Sequence, residues 1–459
     1  MNDNQQINPE IFRAYDIRGI YPTDLNETFI AQITQAFYKL IAKENPNKAL
    51  SIVVASDMRL SSPSLKKMVI DTLLRLDVHV LDIGLASTPT FYFSVGYLKA
   101  DAGFQVSASH NPSEWNGCKL VRAFAFPVSG DNGIYEIRDT IKSLSPLPTQ
   151  STGKLTLVTD MLTKIVPTQT SDFNLTSIKP YKIVLDPANA MGILDFDALF
   201  SHLPCTLVKL NYELDGSFPN HEADPLKSEN LVQISKAVIN HHADFGIASD
   251  GDSDRIFIVD DLGKLIQPEI LRGILAQRVL KKHPHSSIGY DIRPGQITND
   301  LIVEAGGVPF VTRVGHSLIK EEMIKQNSPF SGESSGHFFY KTAEGSFEAP
   351  IRMITEFLLW LSEFDQPLSS VLKPYRKYFH SGEINSTVVD KAKVFSKLKE
   401  KYKDAPEKSE IDGVFFKFKD YWFNVRGSNT EPKMRLNLEA TTKSLMETKR
   451  DEVLKIIQS

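Results

Sequence analysis

Strand patterns and helix patterns alternate along most of this chain, and this alternation limits the possible folds more than any other feature. The first round predicts helices at 25–43, 62–76 and 90–98 and strands at 51–57, 78–86 and 103–107. The alternation restarts near Tyr181 and again near Pro268. Strands that alternate with helices are typical of βαβ units around a mostly parallel sheet, so we expect an α/β fold.

The chain is long enough for several domains. Its 459 residues correspond to about three domains at roughly 150 residues each. The region 144–173 is rich in Ser, Thr and Pro, with only a weak strand pattern, and is either a domain boundary or a long surface loop. From about Gly382 the order changes to strand, helix, three strands and helix, which predicts a small α+β domain. We therefore predict four domains, at 1–150, 151–260, 261–378 and 379–459.

Charge and composition exclude several classes of protein. The 52 basic and 56 acidic side chains give a net charge of -4, which argues against nucleic-acid binding through bulk charge. Two cysteines cannot form a disulfide framework or a four-thiolate zinc site. The first ten residues lack an apolar signal core, and the most apolar stretch is too short to span a bilayer. We expect a cytoplasmic enzyme, a monomer or small homo-oligomer, without nucleic-acid or membrane partners.

A polar loop at 106–119 follows an apolar strand and contains two turn signals, Asn-Pro and Asn-Gly. Ser109 lies at the strand end beside His110, where a serine can act as a nucleophile. Lys119 places a positive charge two residues after the second turn and can serve as an acid, a base or a phosphate partner. The alternative is a hydrogen-bonded surface turn.

Three carboxylates follow one another at alternate positions in the loop that contains Asp250, Asp252 and Asp254. They can converge only if a hard cation compensates their charge, and Mg²⁺ with oxygen ligands suits this arrangement. An EF-hand would need Gly at its sixth position and Glu at its twelfth, where this chain has Arg255 and Asp261. A solvated acidic turn is the remaining alternative.

Two further loops carry polar groups suited to a sugar phosphate. The loop 331–337 offers carboxylate, hydroxyl and imidazole groups, but it also matches the G-x-S-x-G hydrolase pattern, with Ser334 as the nucleophile. That pattern requires a following helix, whereas the next residues are strand-like, so an ordinary polar turn is the stronger alternative. The loop 426–435 combines arginine, glycine, hydroxyl and amide groups and suits a phosphate, although a plain hairpin turn is the alternative.

Taken together and in this order, the four loops resemble the α-D-phosphohexomutase family, the phosphomannomutase/phosphoglucomutase group. The resemblance runs from Phe12-Arg-Ala-Tyr-Asp-Ile-Arg-Gly19 to Arg435. It implies three successive related α/β domains and a smaller α+β domain of TATA-binding-protein-like topology. Two departures are the Ser107 of V-S-A-S-H-N-P, where the family usually has Thr, and the segment 343–348, which lacks a typical Asp-Gly.

The resemblance also implies roles for individual residues. Ser109 matches the serine that is phosphorylated, with His110 beside it, and its phosphate would complete the Mg²⁺ site of Asp250, Asp252 and Asp254. Sugar contacts are implied for Glu333, Ser335 and His337, and phosphate contacts for Arg426, Ser428, Asn429 and Thr430. Other matching active-site positions are Tyr15, Arg18, Lys119, Arg255, Arg293 and His316, of which Lys119 and His316 are acid/base candidates.

The implied reaction interconverts a hexose 1-phosphate and 6-phosphate, of mannose and/or glucose. It would pass through a phosphoserine enzyme and a hexose 1,6-bisphosphate that also serves as activator, in a cleft to which each domain gives one loop. A phosphoglucosamine mutase is the alternative. More distant alternatives are a serine hydrolase that uses Ser334 and a non-catalytic sugar-phosphate-binding protein.

Overall fold

The computed structural model describes residues 7–427 and 433–459. The described chain forms two compact units. Unit 1 contains the described residues up to Ile266 together with Ser335–Val371, and unit 2 contains Gln267–Ser334 together with the described residues from Leu372 onward. Each unit is described by itself below.

The first part of unit 1 is built on a six-stranded sheet with the order β1-β5-β4-β2-β3-β6. Its strands are β1 (Ile17–Ile20), β2 (Ser51–Ser56), β3 (His79–Leu85), β4 (Ala102–Val106), β5 (Trp115–Arg122) and β6 (Lys154–Leu157). Its helices are α1 (Glu27–Glu44), α2 (Ser62–Arg75), α3 (Thr88–Tyr97) and α4 (Ile134–Ile141). The four strands β2, β3, β4 and β6 run parallel, while β5 pairs antiparallel with β1 and β4.

Sequence and packing agree in this sheet. The Asn26 side chain accepts a hydrogen bond from the Phe29 N–H and so caps α1. One face of α1 is buried, and its Phe37 ring meets the Phe104 ring of β4 edge-on, with the ring centroids 5.8 Å apart. The apolar run of β2 is buried on both faces, as a central parallel strand requires.

The second part of unit 1 has a four-stranded sheet with the order β10-β9-β7-β8. Its elements are α5 (Met161–Gln169), β7 (Lys182–Asp186), α6 (Gly192–Phe200), β8 (Thr206–Lys209), α7 (Val232–Asn240), β9 (Phe245–Ser249) and β10 (Ile256–Asp260). Strand β7 pairs parallel with β8 and β9, whereas β9 and β10 form an antiparallel hairpin around the acidic loop. The hairpin therefore fixes where the three aspartates lie.

The first segment of unit 2 continues the α/β pattern. It contains α8 (Pro268–Lys282), β11 (Ser287–Asp291), α9 (Gln296–Glu304), β12 (Val308–Thr312), α10 (His316–Lys325) and β13 (Phe330–Gly332). Strand β11 pairs parallel with both β12 and β13. The predicted helix at 268–282 and strand at 287–291 are confirmed residue for residue.

The chain then returns to unit 1 and finally to unit 2. The returning segment holds the antiparallel pair β14 (Phe338–Lys341) and β15 (Ser346–Glu348), followed by α11 (Pro350–Leu361) and α12 (Leu368–Val371). The last part of unit 2 contains β16 (Phe379–His380), β17 (Ile384–Thr387), α13 (Lys391–Lys401), β18 (Glu407–Ser409), β19 (Val414–Lys417), β20 (Tyr421–Gly427), β21 (Lys433–Ala440) and α14 (Lys443–Ile457). Its sheet is antiparallel.

The predicted α/β class with a final α+β region is confirmed, but some individual elements differ from the prediction. Residues 115–122, expected to be mostly loop, form β5 because they pair with two neighbouring strands. The Ser/Thr/Pro-rich stretch contains the unpredicted helix α5. The weak strand pattern predicted in the same stretch corresponds to β6, which pairs parallel with β3. No helix among the described residues is long and apolar enough to cross a membrane.

Candidate active site

The candidate nucleophile of unit 1 lies at the carboxyl end of a central strand. Ser109 follows β4 and is only 2% exposed. Its φ of 51° is in the left-handed region, which is unfavourable for a residue with a side chain. The Ser109 Oγ lies 3.4 Å from Oδ2 of Asp250 and 3.2 Å from Nδ1 of His110. A hydroxyl in this position can act as a nucleophile next to the acidic loop.

The acidic loop brings its three carboxylates together as the sequence predicted. The side chains of Asp250, Asp252 and Asp254 are buried, and one oxygen from each lies within 4.8 Å of the others. Lys119 is buried beside them, with its Nζ 2.7 Å from Oδ2 of Asp252 and 2.7 Å from Oδ2 of Asp254. Its position follows from strand register, because Lys119 on β5 lies opposite Gln105 on β4.

Burial, repulsion between the three carboxylates and the neighbouring cations shift the pKa values in this site. Burial and the neighbouring carboxylates Asp254 and Asp252 raise the pKa of Asp250 well above its ordinary value. Burial also opposes ionisation of Asp254, but Lys119 and His337 outweigh it and lower the pKa of Asp254 well below its ordinary value. For Lys119, burial is outweighed by Asp252 and Asp254, and its pKa is raised well above the ordinary value.

These residues fit a hard divalent cation. All three donors are carboxylates, which suit Mg²⁺ and similar ions. Oδ1 of Asp252 is buried and has no hydrogen-bond partner among the described residues. An unpaired buried carboxylate oxygen is costly, and a bound cation would satisfy it. A metal ion can therefore bind at this group of aspartates, which we call the acidic triad.

The returning segment of unit 1 adds an imidazole to the acidic triad. The His337 Nε2 lies 3.1 Å from Oδ1 of Asp254, and its Nδ1 lies 2.8 Å from the Ser335 hydroxyl. Arg255 approaches from the other side, with its Nε 3.8 Å from Oδ2 of Asp250 and 3.5 Å from the His337 Nε2. Two of the predicted active-site residues, His337 and Arg255, therefore lie beside the triad, and Ser335 is linked to it through His337.

The N-terminal motif also reaches this site. Arg18 on β1 donates a hydrogen bond to the Ala108 carbonyl at 3.1 Å and one to Oδ1 of Asn111 at 2.5 Å. Its guanidinium is also paired with Asp16 at 2.5 Å, and Tyr15 is half-buried next to that aspartate. Burial, Arg255 and Arg18 lower the pKa of His110 well below its ordinary value, so this imidazole is neutral at neutral pH.

Unit 2 holds the remaining predicted residues that the structure describes. Arg293 follows β11, with its Nε 2.5 Å from Oδ2 of Asp291 and its Nη2 3.0 Å from Oε1 of Glu333. The same Glu333 oxygen accepts the Gly315 N–H at 3.0 Å, which places the carboxylate next to the first residue of α10, His316. Glu333 and Arg293 thus form an ion pair within unit 2, and His316 follows the glycine that donates to the same carboxylate.

The predicted phosphate loop is only partly described. Arg426, at the end of β20, has its Nη2 2.9 Å from Oε2 of Glu383, and Nη1 of Arg435 lies 3.5 Å from the other oxygen of that carboxylate. Two guanidinium groups thus share one carboxylate. The predicted contacts Ser428, Asn429 and Thr430 lie outside the described residues.

The geometry does not support Ser334 as a hydrolase nucleophile. Its hydroxyl donates to Oδ1 of Asp291 at 2.8 Å and lies 3.4 Å from Nη1 of Arg272. Among the described residues no histidine is hydrogen-bonded to it, and the next element is the strand β14 where a hydrolase elbow requires a helix. Ser334 instead hydrogen-bonds the loop 331–337 to the buried ion pair of Arg272 and Asp291.

One contact at the acidic triad was not predicted. The Thr88 hydroxyl donates a hydrogen bond of 2.5 Å to Oδ2 of Asp252, and the Thr88 N–H donates to the Asp252 carbonyl at 2.9 Å. Thr88 begins α3, which Ser87 caps. The sequence Ser-Thr-Pro is a helix-start signal, but the predicted helix began at Thr90, which left Thr88 unexamined.

Comparison with known proteins identifies the class to which this fold and site belong. Four phosphoglucomutase/phosphomannomutase family models match in succession: the α/β/α domains I, II and III at residues 9–146, 160–263 and 267–378, and the C-terminal domain at 383–456. The chain belongs to the phosphoglucomutase/phosphomannomutase family and is a phosphohexomutase, an isomerase that moves a phosphoryl group. The predicted family and enzyme class are confirmed.

Relatives match over nearly the whole chain. A protein named phosphohexose mutases from Xanthomonas campestris pv. campestris is 36% identical over 97% of this chain and 99% of its own length. A phosphomannomutase from Vibrio cholerae is 35% identical over 97% of this chain and 98% of its own. The crystal structure of a phosphoglucomutase/phosphomannomutase family protein from Burkholderia thailandensis has a TM-score of 0.89 at 30% identity, over 99% of this chain and 98% of that one.

Proposed function

We propose that this phosphohexomutase interconverts the 1-phosphate and 6-phosphate of mannose and/or glucose, through a phosphoserine at Ser109 and a hexose 1,6-bisphosphate. The observation that carries the proposal is the position of the Ser109 Oγ, 3.4 Å from a carboxylate oxygen of the acidic triad. Names of relatives such as the phosphomannomutase from Vibrio cholerae support the substrate class.

The nucleophile side of the reaction depends on residues of unit 1. In the first transfer the bond between phosphorus and the Ser109 Oγ breaks as a bond to a sugar hydroxyl oxygen forms, the hydroxyl proton passes to a base, and the released Oγ takes a proton from an acid. In the second transfer the bond between phosphorus and the other sugar oxygen breaks as the bond to the Ser109 Oγ forms again, and the protons move in the opposite sense. Lys119 is buried between two carboxylates and is held as an ammonium, so we assign it as the proton donor and as a balancing charge. His316 is then the candidate base.

We propose that the acidic triad holds Mg²⁺ together with an oxygen of phospho-Ser109. When bound, the ion supplies positive charge that offsets the charge on the transferred phosphoryl group. The three carboxylates that would hold the ion are buried, and the Thr88 hydroxyl orients that of Asp252. Neutral His110 beside the Ser109 Oγ adds no charge that would compete with the ion.

Unit 2 supplies groups suited to the phosphate that is not transferred. Arg426 and Arg435 share the single carboxylate of Glu383, which leaves an excess positive charge where the sequence predicts the phosphate loop. We assign Arg426, with Ser428, Asn429 and Thr430, to this phosphate. Because the bisphosphate must present either end to Ser109, these groups need to bind phosphate without selecting one direction of the sugar.

Sugar selection is assigned to the loop at 331–337, with Glu333, Ser335 and His337 as hydroxyl contacts. A carboxylate, a hydroxyl and an imidazole offer the mixture of acceptors and donors that sugar hydroxyls require. We also propose that the four domains end near residues 150, 260, 378 and 459, and that each gives one loop to the reaction.

The test is a substrate comparison with a matched variant. Mannose, glucose and glucosamine 1-phosphates are assayed with Mg²⁺ and glucose 1,6-bisphosphate, using the parent chain, Ser109→Ala and Ser107→Ala. We expect turnover of mannose or glucose 1-phosphate, loss of that turnover in Ser109→Ala, and phosphate incorporation into the parent and Ser107→Ala chains only.

Each outcome decides a separate point. Undiminished activity of Ser109→Ala would exclude the phosphoserine mechanism. A clear preference for glucosamine 1-phosphate would reassign the substrate while leaving the mechanism in place. Esterase activity that persists without metal and disappears in Ser334→Ala would restore the hydrolase alternative.

A further inference from the structure

An arginine outside the predicted site is bonded to the loop that carries Ser109. Arg59 lies shortly after β2, and its side chain is fully buried. Its Nη2 donates to the carbonyl oxygens of Ser109, at 2.8 Å, and Asn111, at 2.6 Å. Its Nη1 donates to the carbonyl oxygens of Pro112, at 2.6 Å, and Trp115, at 3.0 Å.

The remaining donor of this guanidinium is also engaged. The Arg59 Nε lies 3.2 Å from Oδ2 of Asp57, so all five N–H groups of the side chain have partners. A buried guanidinium cannot lose its proton, and leaving any of its donors unpaired would be costly. The charge therefore requires three carbonyl groups of the connection between β4 and β5, and that of the first residue of β5, to point towards the guanidinium.

Other residues hold Arg59 itself in position. Oδ1 of Asp57 accepts the Arg59 N–H at 3.1 Å and the Ser62 hydroxyl at 2.5 Å. The Phe218 ring lies over the guanidinium, with its centroid 5.1 Å from Cζ. The arginine is thus fixed at its backbone, at its carboxylate partner and at the face of its planar group.

Ser109 is the residue that most needs such support. Its left-handed backbone costs roughly 1–3 kcal/mol unless the surroundings hold it. The Ser109 N–H donates to the Ser107 hydroxyl at 3.1 Å, and its carbonyl is bonded to Arg59. That carbonyl also lies against Gly251 of the acidic loop, where an added Cβ would be 2.3 Å from the oxygen. The carbonyl is therefore held on one side by Arg59 and on the other by the loop of the triad.

From this geometry we propose that Arg59 is a positioning residue for the phosphoryl transfer: its guanidinium holds the Ser109 backbone so that the Oγ faces the acidic triad in both the free and the phosphorylated serine. The inference rests on the proposed function, because it assigns a role through Ser109. Among the described residues, the Arg59 side chain has backbone carbonyls, Asp57 and the Phe218 ring as its hydrogen-bond, ion-pair and ring partners, so it acts on the reaction through the loop.

The role requires a guanidinium in particular. Two pairs of carbonyl groups are bound by two nitrogens of one planar fork, and a lysine ammonium offers three donors from a single point. Arg59→Lys keeps the charge but cannot satisfy the four carbonyls. We therefore expect the loop to lose its fixed geometry while the substrate-binding groups stay in place.

Arg122 offers a matched control in the same sheet. It also bonds backbone carbonyls, at Pro127 and Asn132, and pairs with Glu44 through two nitrogens. None of these groups belongs to the loop of Ser109. Arg122→Lys therefore shows how much activity is lost when a similar arginine loses its carbonyl contacts while the Ser109 loop is unchanged.

The experiment measures steady-state kcat and KM, and the single-turnover rate of phosphoryl transfer from the phosphoenzyme. The chains are the parent, Arg59→Lys, Arg59→Ala and Arg122→Lys, each with Mg²⁺ and with its fold checked by circular dichroism. We expect Arg59→Lys to lower kcat and the single-turnover rate by about a hundredfold with little change in KM, since small displacements of a reacting group have effects of that size. Arg122→Lys should retain the parent kcat.

Chemical rescue separates positioning from general stability. Millimolar guanidinium ion should restore a large part of the activity of Arg59→Ala, because it can occupy the vacated site, whereas ammonium ion at equal concentration should not. If Arg59→Ala does not fold, the kcat and KM of Arg59→Lys decide the question alone. A folded Arg59→Lys with the parent kcat would overturn the inference, and so would a loss of activity in Arg59→Ala that guanidinium and ammonium rescue equally.

The outcomes also separate this inference from the proposed function. If Ser109→Ala is inactive and Arg59→Lys is fully active, only the role of Arg59 is wrong. If Ser109→Ala keeps full activity, the phosphoserine mechanism itself is wrong.

Discussion

Replacing Lys119 by methionine tests how the acidic triad is stabilised. The ammonium lies 2.7 Å from one oxygen of Asp252 and 2.7 Å from one of Asp254, and its side chain is 3% exposed. At an effective dielectric constant of about 20, one such pair attracts by roughly 6 kcal/mol, part of which offsets the cost of dehydrating the ammonium. Methionine has a similar volume but no charge, and leaving buried charges unpaired typically costs about 3–5 kcal/mol.

Because the chain forms two compact units, the effect on stability is best measured as the free energy of local unfolding within unit 1. Hydrogen exchange of the β9 amides is measured in EDTA for the parent, Lys119→Met and the control Lys67→Met, whose exposed partner is Asp71. We expect Lys119→Met to lose about 3–5 kcal/mol and the control less than about 1 kcal/mol. Added Mg²⁺ should reduce the loss, because a cation replaces the missing charge. Equal opening free energies for the two variants in EDTA, or a loss unaffected by Mg²⁺, would refute this account of the triad.

Two further substitutions test neighbouring features of unit 1. Gly251→Ala places a Cβ 2.3 Å from the Ser109 carbonyl oxygen, so kcat should fall by about tenfold or more. In the control Gly246→Ala the nearest atoms to the new Cβ are side-chain atoms of Ile234 and Val238, and kcat should change little. Equal kcat values for the two variants would contradict the close approach of Gly251 to Ser109. Burial raises the pKa of Asp195 to about 6, above its ordinary value of 3.8, so the folded chain keeps this proton longer than the unfolded chain. Its contribution to the free energy of unfolding is therefore present below about pH 4 and falls by about 3 kcal/mol as the pH rises to about 6. Asp195→Asn should remove that part of the pH dependence in denaturant titrations, and an unchanged profile would show that the carboxyl does not titrate there.

Much of the fold follows from local sequence pattern. The helix α8 begins at Pro268 and strand β11 covers Ser287–Asp291, and both match their predicted bounds. The secondary-structure predictions that failed lie where tertiary contacts outweigh the local preference of the sequence. Strand β5 contains an Asn-Gly turn signal, yet it is a strand because it pairs on both sides, and α5 forms despite a Pro within it.

The candidate site was predictable to the extent that its residues are close in sequence. Asp250, Asp252 and Asp254 are near one another in the chain, and a hairpin brings them together by local geometry. Thr88 could not be assigned in this way, because it meets Asp252 only through the packing of α3 against the acidic loop. Arg59 was missed for the same reason, since its partners are carbonyl groups that any residue type can provide.

The amino-acid sequence by itself determined the alternation of strands and helices, the four polar loops and the family they resemble, because these depend on spacing along the chain and on side-chain chemistry. Only the tertiary structure decided which carboxylates Lys119 neutralises, which hydroxyl orients Asp252 and which arginine holds the backbone of Ser109. These contacts join residues far apart in sequence across buried surfaces, where removal of water makes each hydrogen bond and charge pair strongly dependent on geometry.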